Sequence, residues 1–245
     1  MKKNKIYFAS DFHLGIPNLK ESHKREKYII SWLTEIEQDA KAIYLVGDIF
    51  DFWFEYNKVV PKGFVRLLGK LAALTDNGTK IHLFPGNHDL WTKEYLKDEI
   101  GIIIHHKPTV LEAQDKKIFI GHGDGLGKGD YFYKFARKIF TSKICQWVFA
   151  RLHPNLALSL AHAWSDKSRK KNDTPFVSEE KEILFGYCKA KQSVSPLDYY
   201  IFGHRHVPLE LKIDDSATYV NLGDWISHNT YAVLEKGILK LREYK

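Results

Sequence analysis

Five short clusters of glycine, aspartate, asparagine and histidine, each at the end of an apolar run of strand length, constrain this 245-residue chain more than any other feature. Lys5–Ser10 leads into Asp11-Phe12-His13, and Ala42–Val46 into Gly47-Asp48-Ile49-Phe50-Asp51. Lys80–Phe84 leads through Pro85 into Gly86-Asn87-His88-Asp89. Ile118–Ile120 leads into Gly121-His122-Gly123-Asp124, and Tyr199–Phe202 into Gly203-His204-Arg205-His206. Side chains at the carboxyl ends of strands in an open α/β sheet converge on one crevice. The i, i+2 spacing of Asp11 with His13, and of His204 with His206, puts each pair on one side of an extended segment. The glycines permit tight turns and close backbone approach. Carboxylate, amide and imidazole donors without a thiolate suit manganese, iron, magnesium or zinc and single out none of them. Core packing does not require this repeated grammar; the other histidines (His23, His82, His105, His106, His153 and His162) are read as ordinary structural residues.

Between the clusters the chain alternates strand and helix. Glu21–Gln38 carries Tyr28, Ile29, Trp32, Leu33 and Ile36 at helical spacing. Pro61–Asn77 is a second helix, with Pro61 in the first turn and Asn77-Gly78 as its stop. This strand–helix–strand order predicts parallel pairing. After Ile120 the pattern changes to three short, aromatic-rich helices at Tyr131–Phe140, Ile144–Leu152 and Asn155–Trp164, then a polar stretch, Ser165–Pro175. A helix over Ser178–Lys191, capped by Ser178 with Glu179 and Glu180 in its first turn, precedes a run of strands with hairpin spacing at 199–202, 209–213, 218–221, 230–234 and 238–242. The expectation is an α/β fold forming one domain over 1–245, with a helical insertion at about 127–175.

Charge is distributed unevenly. The formal net charge is +7; residues 127–175 hold ten Lys and Arg against three Asp, and the other 196 residues hold 27 charges of each sign. The whole excess therefore rides on the insertion, which favours a local anionic partner over a generally sticky surface. The two cysteines, Cys145 and Cys188, make neither a disulfide framework nor a thiolate zinc site and suit a reducing cytoplasm. The longest apolar runs are too short to span a bilayer, and Met1-Lys2-Lys3-Asn4-Lys5 does not open a signal peptide.

The ordered set Asp-x-His, Gly-Asp-x-x-Asp, Gly-Asn-His-Asp, Gly-His-Gly-Asp and Gly-His-x-His, spanning 11–206, resembles the calcineurin-like metallophosphoesterase superfamily. The resemblance implies a four-layer αββα sandwich that holds two divalent metal ions. It assigns Asp11, His13, Asp48 and His206 to one ion and Asp48, Asn87, His122 and His204 to the other, with Asp48 bridging. It makes Asp48, Asn87 and His88 the catalytic set. His88 then faces the phosphoryl centre, with Asp51 as its candidate partner.

The insertion directly after Gly121-His122-Gly123-Asp124, from Tyr131 through Gln146-Trp147-Val148-Phe149 to Ser168-Arg169-Lys170-Lys171-Asn172, is similar to that of the UDP-2,3-diacylglucosamine hydrolase family. That resemblance implies cleavage of the substrate's pyrophosphate into UMP and 2,3-diacylglucosamine 1-phosphate (lipid X) in lipid A biosynthesis, with manganese. It implies a lid over the acyl chains, with Asp130, Ser168 and Asn172 on the glucosamine phosphate. The family has Arg where this chain has His88, and a lysine where this chain has Pro175; Lys170 and Lys171 stand near as substitutes. Phe132, Phe135, Phe140, Trp147, Phe149, Leu156, Leu160 and Trp164 suit acyl chains as well as ordinary helix packing, and the cations suit phosphates or an anionic bilayer. The expected partners are the UDP-linked acylated glucosamine and the cytoplasmic face of the inner membrane, bound peripherally, without nucleic acid; oligomeric state is left open. Two alternatives stand beside this reading. One is a related phosphodiesterase acting on another lipid-linked or soluble nucleotide, the other a non-catalytic scaffold that binds through the basic insertion.

Overall fold

The computed structural model describes residues 3–129, 131–161, 165 and 175–245, with the Phe132 side chain left out. Two sheets form its centre. The first has the order β11-β10-β1-β2-β3-β4, from Ile238–Glu243 (β11), Thr230–Glu235 (β10), Lys5–Ala9 (β1), Ala40–Leu45 (β2), Lys80–Leu83 (β3) and Ile103–Ile104 (β4). The second has the order β5-β6-β7-β9-β8, from Thr109–Ala113 (β5), Lys116–Ile120 (β6), Tyr199–Phe202 (β7), Thr218–Leu222 (β9) and Pro208–Lys212 (β8).

Side-chain alternation along β1 shows why the sheets stack. Tyr7 and Ala9 face a core shared with Leu19–Ile36 (α1) and Val65–Asp76 (α2), through Ile29, Trp32, Leu33, Leu67, Leu71 and Leu74. Ile6 and Phe8 point the other way and pack on Ile118, Ile120, Ile201 and Val220 of the second sheet. The far face of that sheet presents Phe119, Tyr200, Phe202 and Tyr219 to Leu184, Phe185 and Cys188 of the helix Ile183–Gln192 (α7). A period-two strand buried on both faces demands apolar cover on each side. The result is the four-layer αββα order, with Tyr95–Ile100 (α3) also on the first outer layer.

As the alternation predicts, β1, β2 and β3 pair in parallel. In the second sheet β6, β7 and β9 are parallel to one another. This corrects the hairpin reading of 199–213: only β8–β9 and β10–β11 in that C-terminal run are antiparallel neighbours in sequence. The short β4 and β5 and the helix α3 carry too few periodic residues to be read from sequence.

Two helix starts also differ from expectation. α2 begins at Val65, not Pro61, because Gly63 and Phe64 take left-handed backbone at φ 111° and 57°. Its free N–H groups find the buried Glu26 carboxylate of α1, which accepts from Arg66 N at 3.1 Å and Leu67 N at 3.0 Å. Ser178 does not cap the long helix; a single 3₁₀ turn, Glu179–Lys181, is followed by extended Glu182 before α7 begins. The break lets the buried Glu182 carboxylate meet Arg205 Nε at 3.2 Å, inside the cluster that carries His204 and His206.

The insertion is helical at Tyr131–Phe140 (α4), Lys143–Phe149 (α5) and 154–161 (α6). Phe149 packs on Trp91, Phe54 and Phe52, with ring centroids 4.7, 4.9 and 5.9 Å away. Trp91 Nε1 donates to the Phe140 carbonyl at 2.6 Å. The insertion is thereby fastened to the loops that follow β2 and β3.

Candidate metal centre

All five clusters meet where β1, β2 and β3 of one sheet and β6 and β7 of the other end side by side. Five residues of the set adopt left-handed backbone: Asp11 (φ 56°), His13 (43°), Asp48 (53°), His204 (70°) and His206 (54°). For residues with a Cβ this conformation costs on the order of 1–3 kcal/mol each and clusters at functional sites. It turns consecutive side chains inward from short loops. Gly86 has a separate reason: a Cβ there would collide with the Asp48 carboxylate.

Two groups of potential donor atoms that share Asp48 result, each within 4.8 Å: Asp11, His13, Asp48 and His206, and Asp48, His122 and His204; His13, Asp51 and His88 make a third. In the first, His206 Nε2 lies 3.1 Å from Asp11 Oδ1 and 3.0 Å from His13 Nε2. In the second, His122 Nε2 lies 3.3 Å from Asp48 Oδ2 and 3.3 Å from Asn87 Oδ1. Asp48 belongs to both groups; its Oδ2 is also 3.7 Å from His13 Nε2. Hence all seven residues expected to bind metal come together. His122 Nδ1 donates to the Val46 carbonyl at 2.8 Å, which turns Nε2 toward the centre.

The electrostatics fit cations. Asp11, His13, Asp48 and His122 are buried, and an ionised group there needs an opposite charge. Burial opposes ionisation of Asp11, but contacts with His13 and His206 hold its carboxyl well below the usual range. Burial likewise opposes ionisation of Asp48, but the neighbouring His122, with His88 and His13, outweighs it and lowers the carboxyl. In return, Asp48 overcomes the burial of His122 and raises that ring well above its usual value. Burial and the His122 charge push His204 down to about 4. Imidazole nitrogens 3.0 Å apart, as in His13 and His206, need either a proton or a metal cation between them.

His88 belongs to neither group that shares Asp48; it forms the third, with His13 and Asp51. Its ring is 4.8 Å from that of His13, edge to face, and its backbone N–H donates to Asp48 Oδ1 at 2.9 Å. The expected Asp51 partnership takes a different form: His88 Nδ1 meets the Asp51 carbonyl at 2.9 Å, while the carboxylate is 3.9 Å away. Burial lowers the proton affinity of His88 despite the Asp48 charge.

Some contributors had no assigned role in the sequence. Asp89 accepts Gly86 N at 2.6 Å and Ile49 N at 2.8 Å, fastening the β2 and β3 loops together. Asp124 takes the Tyr133 hydroxyl at 2.6 Å and Arg137 Nε at 2.9 Å, bringing α4 to the centre. Ser165 Oγ donates to Asp51 Oδ2 at 2.6 Å and lies 2.9 Å from His88 Nδ1. Asp89 and Asp124 were visible within their clusters; no sequence signal marked Ser165. The expected substrate contacts Asp130, Ser168, Lys170, Lys171 and Asn172 lie outside the described residues, as does Trp164. Of the aromatics expected around acyl chains, Phe135 and Trp147 are exposed, while Phe149 packs inward on Trp91.

The calcineurin-like phosphoesterase family model matches residues 4–208. A protein of Porphyromonas gingivalis named UDP-2,3-diacylglucosamine hydrolase is 37% identical over 254 residues, covering 98% of this chain and 97% of that one. Proteins of the same name from Aliivibrio fischeri and Histophilus somni are 26% and 27% identical, covering 98% and 94% of this chain and 99% and 95% of theirs. With the buried aspartate and histidine groups able to bind divalent metal, this similarity has one conclusion: the chain belongs to the calcineurin-like phosphoesterase family, as a metal-dependent hydrolase.

Proposed function

We propose that the protein hydrolyses the pyrophosphate of UDP-2,3-diacylglucosamine, adding water across one P–O–P linkage to give UMP and 2,3-diacylglucosamine 1-phosphate in lipid A biosynthesis. The observation that carries this reading is the near full-length similarity to the Porphyromonas gingivalis protein of that name, with both donor groups retained around Asp48. Two manganese ions fit the donor chemistry: Asp11, His13, Asp48 and His206 would hold one, and Asp48, His122 and His204, with Asn87 beside His122, the other. Such a pair of cations supplies a nucleophile at neutral pH and neutralises phosphoryl charge.

The remaining steps belong to the chain's own side chains. Asp48, shared by both groups, offsets cation repulsion and helps fix their separation. His88 directs Nδ1 toward the Asp51 carbonyl, leaving Nε2 as the free end of the ring. The doubly charged pyrophosphate of the substrate beside it raises its proton affinity against the effect of burial, so Nε2–H can hydrogen-bond and protonate the departing oxygen. The 127–175 insertion acts as a lid, and Asp130, Ser168, Asn172, Lys170 and Lys171 are its candidate residues for binding the glucosamine phosphate.

Exposed Tyr131, Phe135, Ile144 and Trp147, interleaved with Lys134, Lys138, Lys143 and Arg151, support peripheral contact with the cytoplasmic face of the inner membrane. Each cation near an anionic bilayer contributes about 1 kcal/mol. Among the described residues, no helix is long and apolar enough to cross a membrane.

The test is UMP release from UDP-2,3-diacylglucosamine with manganese. Release by the wild type and its loss in Asp48→Ala and Asn87→Ala are expected. Absence of release by the wild type, or undiminished release by either variant, rejects the assignment.

A further inference from the structure

We infer that Ser165, carried by the insertion, is a positioning residue for His88 and joins the lid to the catalytic imidazole. The inference deepens the proposed function and rests on its placement of His88 beside the phosphoryl group. Ser165 stands 77 positions after His88 and 114 after Asp51, yet is only 3% exposed and touches both. A serine hydroxyl has one hydrogen and two acceptor lone pairs. At 2.6 Å from Asp51 Oδ2 the hydrogen goes to the carboxylate, which has none to give. Oγ is then an acceptor toward His88 Nδ1, 2.9 Å away, and the Asp51 carbonyl is a second acceptor at 2.9 Å. Both acceptors demand a proton on Nδ1, so they fix the rotation of the ring with Nε2 outward, where it can carry the proton for the departing oxygen. Asp51 continues the network: its Oδ1 lies 3.4 Å from His13 Nδ1, on the opposite side of that ring from the nitrogen facing Asp11.

This geometry gives the insertion a task beyond covering substrate. Removing the Ser165 hydroxyl takes one of the two acceptors from His88 and a donor from the fully buried Asp51. The ring can then rotate away from the orientation needed for proton transfer. An imidazole held in one orientation through its Nδ1–H is the kind of arrangement on which general acid–base catalysis depends.

A double-mutant cycle tests the idea on UDP-2,3-diacylglucosamine and, in parallel, on bis(p-nitrophenyl) phosphate, with metal content measured for every variant. Ser165→Ala is expected to lower kcat about 10-fold, and His88→Ala about 100-fold. KM and metal content should change little, and Ser165→Ala should have almost no further effect once His88 is alanine. Ser165→Thr, which keeps the hydroxyl, should recover most of the loss. Independently of turnover, the His88 Nδ1–H resonance of the magnesium-loaded protein should be sheltered in the wild type and exchange-broadened in Ser165→Ala. Wild-type kcat in Ser165→Ala, or an equal further loss in the His88→Ala background, overturns the inference. Failure on the lipid nucleotide with a non-additive cycle on the chromogenic diester rejects the substrate and upholds Ser165.

Discussion

The Asp89 carboxylate lies behind the backbone of Asp48, with Oδ1 accepting the Asp48 N–H at 3.3 Å while Oδ2 takes the next N–H, of Ile49, at 2.8 Å. Because Oδ1 also accepts Gly86 N at 2.6 Å, one buried carboxylate sets the separation of the loops carrying Asp48 and Asn87. Burial and the Asp48 charge push its carboxyl up to about 7, against the pull of those N–H donors. Asp89→Asn keeps the volume but sets an amide NH₂ against a backbone N–H. An unmade buried hydrogen bond costs about 1–3 kcal/mol. The variant is expected to lower the metal-free Tm and to weaken manganese affinity by at least about 10-fold on the same scale. Calorimetric titration checks this; unchanged affinity would show that Asp89 does not hold the loops.

Metal binding should also release protons. Asp48 raises His122 well above its usual value even though burial opposes the charged ring, and His13 is raised in the same way by Asp11 and Asp51. A ligating nitrogen must be unprotonated, so protons compete with metal over a wider pH range than ordinary histidines allow. Manganese affinity should therefore fall steeply below neutral pH. Titrations in buffers of different ionisation enthalpy should report net proton release at pH 7. Binding independent of buffer and pH between 6 and 8 would contradict this charge distribution.

The layers and the meeting of the clusters were legible because both follow from period. Ile6, Tyr7, Phe8 and Ala9 alternate between two cores, and each cluster follows such a run. Long-range pairings were not legible. Nothing local at Glu182 says that its carboxylate will meet Arg205, a contact that ends the 3₁₀ turn and delays the helix to Ile183. Nor does Ser165, one serine in a polar stretch, announce a buried contact with His88. Glu26 shows the same limit, since on α1 it reads as a solvated charge, and only packing against α2 makes it that helix's cap.

Phe149 is expected to hold the insertion in place. Its ring packs against Phe52, Phe54 and Trp91, which precede or follow the Asp51 and His88 positions in the same loops. The side chain is half-buried, so Phe149→Ala should cost the docking of α5 about 1–2 kcal/mol. Proteolysis within 127–175 should accelerate, and KM for the acylated substrate should rise, with bound metal unchanged. Loss of metal along with docking would place Phe149 in the support of the centre itself.

A last expectation concerns stability at a distance from the centre. His82 stacks on Tyr44 with ring centroids 4.3 Å apart and planes at 4°, while its Nδ1 meets His105 Nε2 at 2.9 Å. One ring donates and the other accepts, so the pair is stable when both are neutral. Burial, with smaller contributions from His105 and Lys80, lowers His82 to about 4, and burial also lowers His105. A depressed folded-state value means that protons bind the unfolded chain better. The stabilisation is complete above the unfolded value near 6.5 and is lost as pH falls through about 4. Since the ring is partly exposed, screening reduces the effect to about 1 kcal/mol, or roughly 2–4 °C in Tm. In metal-free protein, His82→Phe keeps the stack on Tyr44 and removes the titration, so its Tm should fall less than that of the wild type between pH 7 and 4.5. Parallel curves for the two proteins would show that the His82–His105 pair does not titrate with unfolding.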